Sequence, residues 1–464
     1  MSRDQIAVIV LAAGMGTRMK SDLPKVLHRV AGRTMLDLVL DASATLKPAR
    51  TVVVSGPRMD GIAAAAAKHV LKPIVAIQKE RLGTAHAVRA AEKALGKFDG
   101  TVLVLFGDSP LIQADTLKRM TRALKSKKAP TLAFLGFRPE DPGSYGRFML
   151  DDSGDVARIV EARDITPDMD VSDICNGGAL AADGRHLFKL LAQVKRANSQ
   201  KEYYLTDLVA IAAKQGLGTV IVEGREEEPL GVNSRKDLAV VEMEMQHRLR
   251  MNALAGGVTM IDPTTVFLSW DTKLGRDVTI EPNVFFGAGV TIADGVEIRA
   301  FCHIDGAEVG PGCIVGPFAR LRPGAKLVRD VHVGNFVEVK NAVLDTGVKA
   351  NHLTYLGDAR VGAATNVGAG TITCNYDGYG KFHTEIGANV FIGSDVALVA
   401  PVKVGDGAVI GAGSVVTKDV AADALAVTRA DQKEIKGWAL RRRQQETSRR
   451  DAQASKNLAA KKKK

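Results

Sequence analysis

The sequence is poor in cysteine and aromatic residues and has no long apolar run. Four cysteines without C-x-x-C spacing are too few for a disulfide scaffold, which predicts a reducing, cytoplasmic location. Aromatic residues make up only 5%, which argues against an aromatic-rich β-sandwich. No apolar stretch approaches the ~18 residues of a membrane span, and Ile6–Gly14 lacks the basic flank of a signal peptide. We therefore expect neither membrane insertion nor export.

The excess positive charge is confined to one end of the chain. Its 63 Lys and Arg against 52 Asp and Glu give a net charge of +11 over 464 residues. Between Lys436 and Lys464 there are eleven Lys or Arg and two acids, which leaves about +2 for residues 1–435. We expect this basic tail, residues 431–464, to be disordered. No base-reading motif accompanies it, so nucleic acid is not expected as a partner.

The first half of the chain has the pattern of an α/β domain. Residues 1–232 alternate short β-rich apolar runs with helical stretches, which predicts a parallel sheet of the Rossmann-like class with ligands at the carboxyl ends of its strands. Residues 233–256 are predicted to form a connecting helix, because Ser234 is a plausible N-cap and glycines follow its end.

Residues 257–430 follow a six-residue period. Apolar residues recur at Leu274, Ile280 and Phe286, and the series continues with one-residue slips to Val416. This spacing matches the hexapeptide repeat of a parallel β-helix, and many of the 46 glycines fall at its corners. Between Val367 and Ile386 the period is interrupted by a loop, 370–384, which we interpret as a binding element.

Two motifs in the first half point to phosphate chemistry. Glycines after the first strand, with Arg18 and Lys25 nearby, are typical of a loop whose backbone N–H groups and cations bind phosphate. Asp108 follows an apolar strand, where a carboxylate is well placed to hold Mg²⁺, and Asn233 could add an amide oxygen.

The sequence resembles the family of bifunctional bacterial N-acetylglucosamine-1-phosphate uridyltransferases / glucosamine-1-phosphate acetyltransferases. The resemblance covers residues from about 5 to 430. It is carried by LAAGMGTRM (11–19), PKVLH (24–28), FARLRPGA (318–325), VGNFVEVKN (333–341), NHLTYLGDA (351–359) and NVGAGTITCNYDG (366–378).

The resemblance implies roles for residues of the first half. Arg18 and Lys25 would be catalytic and neutralise the triphosphate, and Asp108 with Asn233 would hold Mg²⁺. The implied nucleotide and sugar contacts are Leu11, Ala12, Ala13, Gly14, Lys25, Gln78, Gly83, Thr84, Gly146, Glu161, Asn176 and Asn233, with Tyr204 and Thr206 as further sugar contacts.

Roles in the second half follow from the same resemblance. His352 would be the general base, because a histidine can accept the proton of an amine near neutral pH. The sugar-phosphate contacts implied are Arg322, Lys340, Tyr355 and Asn366, and the acetyl-CoA contacts are Ala369, Asn375, Tyr376, Ser394, Ala412 and Arg429. The family also implies a left-handed β-helix and a homotrimer formed through it. Phe106 and Asn341 depart from residues common in the family and adjust contacts without removing a catalytic group.

We therefore expect a bifunctional enzyme, with acetyl-CoA and UTP as co-substrates, that makes UDP-N-acetylglucosamine for peptidoglycan and lipopolysaccharide precursors. Two alternatives stay open at this point. One is a single-activity sugar-nucleotide pyrophosphorylase whose β-helix only forms oligomers. The other is a non-catalytic scaffold, although such a protein would be expected to lose Arg18, Lys25 and Asp108.

Overall fold

The computed structural model describes residues 5–461, with side chains to residue 456, as two compact units. The first unit ends at Val343 and the second begins at Leu344, inside the repeat segment. The predicted domain boundaries after residues 232, 256 and 430 stay predictions. Residues 1–4 of the predicted first domain and 462–464 of the predicted basic tail lie outside the described residues.

The first unit begins with an α/β domain. Its strands are β1 Ile6–Leu11, β2 Arg29–Val30, β3 Arg33–Thr34, β4 Arg50–Ser55, β5 Ile74–Ile77, β6 Thr101–Phe106, β7 Leu132–Phe137, β8 Arg147–Leu150, β9 Val156–Val160, β10 Cys175–Asp183 and β11 Thr219–Glu223. Its helices are α1 Met35–Ala44, α2 Asp60–Lys68, α3 Thr84–Ala90, α4 Glu92–Leu95, α5 Ala114–Ala123, α6 Gly184–Leu191 and α7 Asp207–Lys214.

The main sheet has the strand order β11-β7-β10-β6-β1-β4-β5. Strands β1 and β6 are near-continuous apolar runs because helices cover both faces of the sheet. The prediction of a parallel sheet holds for β6, β1, β4 and β5. It is wrong for β10, which runs antiparallel to both β6 and β7. No helical crossover lies between the β8–β9 hairpin and β10, and such connections give antiparallel neighbours.

A long helix, α8 Arg235–Ala255, follows the α/β domain. It begins with a capping box, in which the Ser234 hydroxyl and the Asp237 carboxylate accept each other's backbone N–H. Near its end, the Gln246 side chain donates to the Leu268 carbonyl and accepts from the Leu268 N–H. The helix is thereby fixed to the first turn of the repeat region.

The repeat region of the first unit consists of short parallel strands. They are β12 Thr259–Met260, β13 Val266–Phe267, β14 Lys273–Leu274, β15 Thr279–Ile280, β16 Val284–Phe286, β17 Thr291–Ile292, β18 Glu297–Ile298, β19 His303–Ile304, β20 Glu308–Val309, β21 Ile314–Val315, β22 Arg320–Leu321, β23 Lys326–Leu327, β24 His332–Asn335 and β25 Glu338–Leu344.

The second unit continues with strands of the same kind and ends in a helix. The strands are β26 Lys349–His352, β27 Tyr355–Val361, β28 Asn366–Val367, β29 Ile372–Cys374, β30 Thr384–Ile386, β31 Phe391–Ile392, β32 Ala397–Val399, β33 Val402–Val404, β34 Val409–Ile410, β35 Val415–Val416 and β36 Leu425–Ala426, and the helix is α9 Trp438–Lys461.

Strand pairing confirms the predicted parallel β-helix. Thr279 pairs with Glu297, 18 residues and therefore three repeats later, and the pairing of Thr291 with Glu308 shows the one-residue slip. Across the interruption, Asn366 pairs with Phe391, 25 residues later. The repeat residues are buried apart from the half-buried Leu274. Cys302 is buried as well, and burial raises its thiol pKa to about 11. The stacked parallel strands with hexapeptide spacing are consistent with a left-handed β-helix.

The basic tail differs from the expectation of disorder. Helix α9 occupies most of it, and its described side chains are exposed apart from the half-buried Glu446. The segment is rich in Ala, Arg, Gln and Lys, which have high helix propensity. An i,i+4 pair between Arg442 and Glu446 at 3.0 Å adds local support. Within residues 5–461 no helix is both long and apolar enough to cross a bilayer.

Substitutions at two corner glycines can test whether close stacking of successive coils contributes to stability. A side chain on Gly310 would overlap the Val328 carbonyl in the next coil, whereas one on Gly295 would have no atom within 4 Å. We expect Gly310→Ala to lower the free energy of unfolding by about 3 kcal/mol or more, because backbone must shift. Gly295→Ala should cost only about 1 kcal/mol, from its positive φ of 69°. Urea unfolding followed by circular dichroism compares the two, and equal losses would contradict the predicted stacking constraint.

Candidate functional site

A cavity of about 230 Å³ lies in the first unit, where parallel strands end. Register pairs Leu11 of β1 with Phe106 of β6, so the loops after these strands meet at one edge of the sheet. The cavity is lined by Leu11, Ala12, Ala13, Gly14, Lys25, Val26, Gln78, Arg81, Gly83, Thr84, Ala87, Phe106, Asp108 and Glu202. Nine of these residues are predicted site residues, and the fold brings them together; their roles stay predictions.

The Lys25 ammonium is the centre of a polar cluster in this cavity. It forms an ion pair with Asp108 and donates a hydrogen bond to the Asn233 side-chain oxygen at 3.0 Å. The lysine is buried although it is charged, which is favourable only because both oxygens compensate it. The two residues predicted to hold a metal therefore already converge on one cation.

Local backbone structure sets the position of each member of the cluster. Lys25 begins a short 3-10 turn after Pro24, and a side chain on Gly16 (φ 64°) would come within 2.7 Å of the lysine Cβ. The Val232 N–H donates to the Asp108 carbonyl at 2.9 Å. Asn233 precedes Ser234, the N-cap of α8, and its N–H donates to the Asp237 carboxylate at 2.9 Å. Helix capping thus fixes one of the two predicted metal ligands.

A second group of predicted residues lies near β8, β9 and β10. The Asn176 N–H donates to the Gly146 carbonyl at 2.8 Å, and the Thr206 hydroxyl donates to Glu161 at 2.9 Å. A side chain on Gly146 would approach Glu161 to 3.5 Å. Burial raises the pKa of Glu161, although the Thr206 hydrogen bond opposes the rise. The predicted sugar contacts Gly146, Glu161, Asn176 and Thr206 therefore form one cluster.

Two predicted site residues of the first half, Arg18 and Tyr204, do not line the cavity. Arg18 is exposed. Tyr204 lies two residues before Thr206, and its pKa is raised mainly by burial and then by the negative charge of Glu161.

Five residues of the cavity lining were missed as site residues: Val26, Arg81, Ala87, Phe106 and Glu202. Arg81 could have been found, since it lies between the predicted contacts Gln78 and Gly83. Phe106 is marked by the sequence only as a departure from the family. A side chain on Gly178 would meet its ring at 3.3 Å, so Phe106 connects the cavity with the strand that carries Asn176.

In the second unit, predicted acetyl-CoA contacts lie in successive coils. The Asp395 N–H donates to the Ala369 carbonyl at 2.7 Å, and the Gly413 N–H donates to the Ser394 carbonyl at 2.8 Å. The Arg429 guanidinium donates to the Ala412 carbonyl at 2.6 Å. Ala369, Ser394, Ala412 and Arg429 therefore form a column along the stacked corners.

The interrupting loop adds further predicted residues to the second unit. Asn375 is buried, and its amide donates to the Asp358 carboxylate and, at 3.4 Å, to the Tyr355 hydroxyl. Tyr376 is 61% exposed, and its hydroxyl donates to the Gly378 carbonyl. The loop thereby packs one amide beside a predicted sugar contact and presents an exposed aromatic ring.

The predicted base His352 ends strand β26 and is exposed, whereas Asn366 is half-buried in β28. The backbone pairing of β26 with β28 aligns Lys349 with Asn366, so both strands belong to one face of the second unit. Arg322 and Lys340 belong to the first unit, where Arg322 donates to Glu338 at 2.7 Å. Among the described residues, no group of three or more His, Cys, Asp or Glu is arranged to hold a metal.

Comparisons with known proteins agree with these two parts. The MobA-like NTP transferase domain family matches residues 8–155, and the bacterial transferase hexapeptide family matches residues 271–306 and 383–418. A protein of Paramagnetospirillum magneticum named "Bifunctional protein GlmU" is 56% identical over 97% of this chain and 99% of its own length. Proteins of the same name from Sphingopyxis alaskensis and Azorhizobium caulinodans are each 52% identical, over 94% and 95% of this chain and 95% and 97% of their own.

Among solved structures, the inositol-1-phosphate CTP transferase from T. maritima matches with a TM-score of 0.41 and 17% identity, over 52% of this chain and 97% of that one. At this TM-score and identity the likeness is too weak to support a conclusion about this chain.

The acidic groups beside the predicted sugar cluster should make the stability of the folded protein depend measurably on pH. Burial, together with the negative charges of Glu161 and Asp164, raises the pKa of Asp207 to about 6. The folded protein thus binds this proton more tightly than the unfolded chain, so the stability that the group contributes is lost as pH rises through 6. The free energy of unfolding of wild type, measured relative to that of Asp207→Asn, should therefore rise by about 1 kcal/mol from pH 8 to pH 5. This value allows for the partial exposure of the Asp207 carboxyl.

Urea unfolding at both pH values measures this difference. Asp152→Asn, at an exposed turn, is the control and should keep the pH dependence of wild type. A constant difference between wild type and Asp207→Asn across this range would show that the carboxyl does not titrate there.

Proposed function

The chain belongs to the family of the bifunctional GlmU proteins, and we propose that its α/β half and its β-helix carry the two active sites that this membership implies. It is an enzyme that makes UDP-N-acetylglucosamine. It transfers acetyl from acetyl-CoA to glucosamine 1-phosphate, and then uridylyl from UTP to N-acetylglucosamine 1-phosphate with release of pyrophosphate. The product feeds cell-wall peptidoglycan and lipopolysaccharide precursors. The observation that carries this conclusion is 56% identity over 97% of the chain, which includes both halves.

The alternative of a single-activity pyrophosphorylase is not favoured. Relatives named as bifunctional cover both halves at 46–56% identity. The second unit also retains His352 and the interrupting loop, which an oligomerisation module would not need. A non-catalytic scaffold would not need the ion pair between the buried Lys25 and Asp108.

In the uridylyl half, catalysis requires in-line placement of the reactants and neutralisation of phosphate charge. Gly14 and neighbouring backbone N–H groups would bind the triphosphate, with Lys25 and Arg18 supplying positive charge. Gln78, Gly83 and Thr84 would contact the uracil. The Gln78 amide donates to the Gly83 carbonyl at 3.2 Å, so these contacts form a single loop.

Asp108 and Asn233 would hold Mg²⁺. Their oxygens fit this role because both already face one cation, the Lys25 ammonium, and because Mg²⁺ prefers carboxylate and amide oxygens completed by substrate phosphates. When bound, the ion would stabilise the charge that develops on the phosphates. Glu161 and Asn176, with Gly146, Tyr204 and Thr206 nearby, would orient the amino sugar so that its phosphate attacks the α-phosphate of UTP.

In the acetyl half, the amine of glucosamine 1-phosphate must lose a proton as it attacks the thioester carbonyl. His352 would accept that proton, and coenzyme A would leave as the thiol. Arg322 and Lys340 would bind the sugar phosphate, and Tyr355 and Asn366 the sugar. The column formed by Ala369, Ser394, Ala412 and Arg429, together with Asn375 and Tyr376, would bind acetyl-CoA, a long ligand suited to a row of repeated corners.

The active assembly would be a homotrimer formed through the β-helix, in the cytoplasm, where UTP and acetyl-CoA are available. An exposed ladder of phenylalanines in the first unit supports self-association. Phe301, Phe318 and Phe336 stack at 4.8 and 5.3 Å between ring centroids and are 52%, 44% and 59% exposed. Each has a positive φ (62°, 56° and 54°), an unfavourable conformation for a bulky residue. A contact surface would explain why this strain and exposure persist.

The oligomer is tested by placing a charge in the ladder. Phe318→Lys should shift the sedimentation coefficient from that of a trimer toward that of a monomer, because a buried charge would be uncompensated at the interface. Ile261→Lys is a control at a single exposed apolar residue, 65% exposed and outside the ladder. A trimer that survives Phe318→Lys with unchanged affinity would exclude this surface.

Independence of the two sites is tested by one substitution in each half. Asp108→Asn should lower uridylyl transfer by about a hundredfold or more, since metal binding contributes several kcal/mol, and should leave acetyl transfer unchanged. His352→Ala should lower acetyl transfer by about 10²–10⁴-fold and spare uridylyl transfer. Separate assays of each half-reaction measure both effects, and loss of both activities from one substitution in a folded protein would contradict independence.

A further inference from the structure

Arg81 joins two loops of the nucleotide cavity. It lies in the segment between Gln78 and Thr84 that follows strand β5. Its Nε donates a hydrogen bond of 2.7 Å to the carbonyl of Ala13, 68 residues earlier, in the predicted phosphate-binding loop. Segment 78–84 carries the predicted uracil contacts and is called here the base-binding loop. The Arg81 side chain therefore extends from this loop to the end of strand β1.

The end of strand β4 leaves room for this guanidinium. Gly56 directly follows β4, and a Cβ on it would lie 2.5 Å from the Arg81 Nη2 and 3.2 Å from the Ala13 carbonyl oxygen. A side chain on Gly56 would therefore occupy the space in which the guanidinium approaches Ala13. Arg81 consequently connects the carboxyl ends of β1, β4 and β5, three neighbours in the sheet.

Most of the hydrogen-bonding capacity of Arg81 is unused by the protein. A guanidinium has five N–H donors and stays charged at any pH that the protein meets. Among the described residues, only its Nε has a hydrogen-bond partner, and no carboxylate forms an ion pair with it. The other cation that lines the cavity, Lys25, is already engaged by Asp108 and Asn233. Arg81 is therefore the cavity cation with free donors.

We propose that Arg81 is a nucleotide-binding residue that also positions the phosphate-binding loop. Its Nε holds Ala13, and its terminal N–H groups bind phosphate oxygens of UTP at the junction of the base-binding and phosphate-binding loops. A phosphate is the ligand favoured by the chemistry, because guanidinium–phosphate hydrogen bonds are charge-assisted and can be bidentate. The inference rests on the proposed uridylyl transfer and adds a residue to its substrate site.

The test compares UTP with uridine as ligands of the full-length protein. Arg81→Met should raise the dissociation constant of UTP by about 10- to 100-fold, the size expected for a lost charge-assisted hydrogen bond. The dissociation constant of uridine should change by less than about threefold, because it lacks phosphate. Lys79→Met is the matched control, since Lys79 is exposed in the same loop but does not line the cavity, and it should bind both ligands as wild type does.

A second substitution, at Gly56, is expected to displace the same guanidinium without replacing the arginine itself. Gly56→Ala should displace Arg81 and weaken UTP binding in the wild-type background, yet add little in the Arg81→Met background, because both changes remove one interaction. Steady-state kinetics should show a raised KM for UTP with kcat changed much less. Far-ultraviolet circular dichroism and urea unfolding report that each variant is folded.

The outcomes separate this inference from the proposed function. Wild-type affinity for UTP in Arg81→Met would overturn the binding role, and an equal loss of uridine affinity would overturn the assignment to phosphate. If wild-type protein itself failed to bind UTP, the proposed uridylyl transfer would fail together with the inference.

Discussion

The ammonium of Lys25 is the interaction on which the uridylyl site depends. It joins the turn after the first strand to Asp108, 83 residues away, and to Asn233, 208 residues away. The parallel register of β1 and β6 brings the first two together, and the capping of α8 fixes the third. Phosphate loop, predicted metal ligands and connecting helix are thus held by one buried charge, which is stable only while its oxygen partners are present.

In the acetyl half, residues that are distant in sequence are aligned by the stacking of repeated coils. Hydrogen bonds between corners of successive coils align Ala369, Ser394 and Ala412, although single repeats have no core of their own. The one interruption of the period places Asn375 beside Tyr355. In both halves a regular scaffold fixes backbone positions, and the chemistry lies where the regular pattern ends: at strand termini in the first half and in an inserted loop in the second.

Much of this organisation follows from local sequence pattern. The six-residue period predicted the buried positions of the solenoid because each repeat carries its own apolar residue. The resemblance to a known family implied nine of the fourteen residues that line the cavity. The antiparallel direction of β10 was not predictable, since it depends on how strands are connected. Nor was the role of Arg81, whose partner Ala13 is near only after the sheet has formed. Helix α9 differs from the expectation of disorder because the helix propensity of Ala, Arg and Gln acts locally, whereas the net charge describes the tail only as a whole.

The central claim is that one chain carries both reactions in sequence. The most direct measurement supplies purified protein with glucosamine 1-phosphate, acetyl-CoA, UTP and Mg²⁺ and identifies the products by mass spectrometry. The account predicts free coenzyme A, pyrophosphate and UDP-N-acetylglucosamine, with the last two dependent on acetyl-CoA. Failure to form N-acetylglucosamine 1-phosphate, together with uridylyl transfer when that sugar is supplied directly, would contradict it and leave a single-activity enzyme.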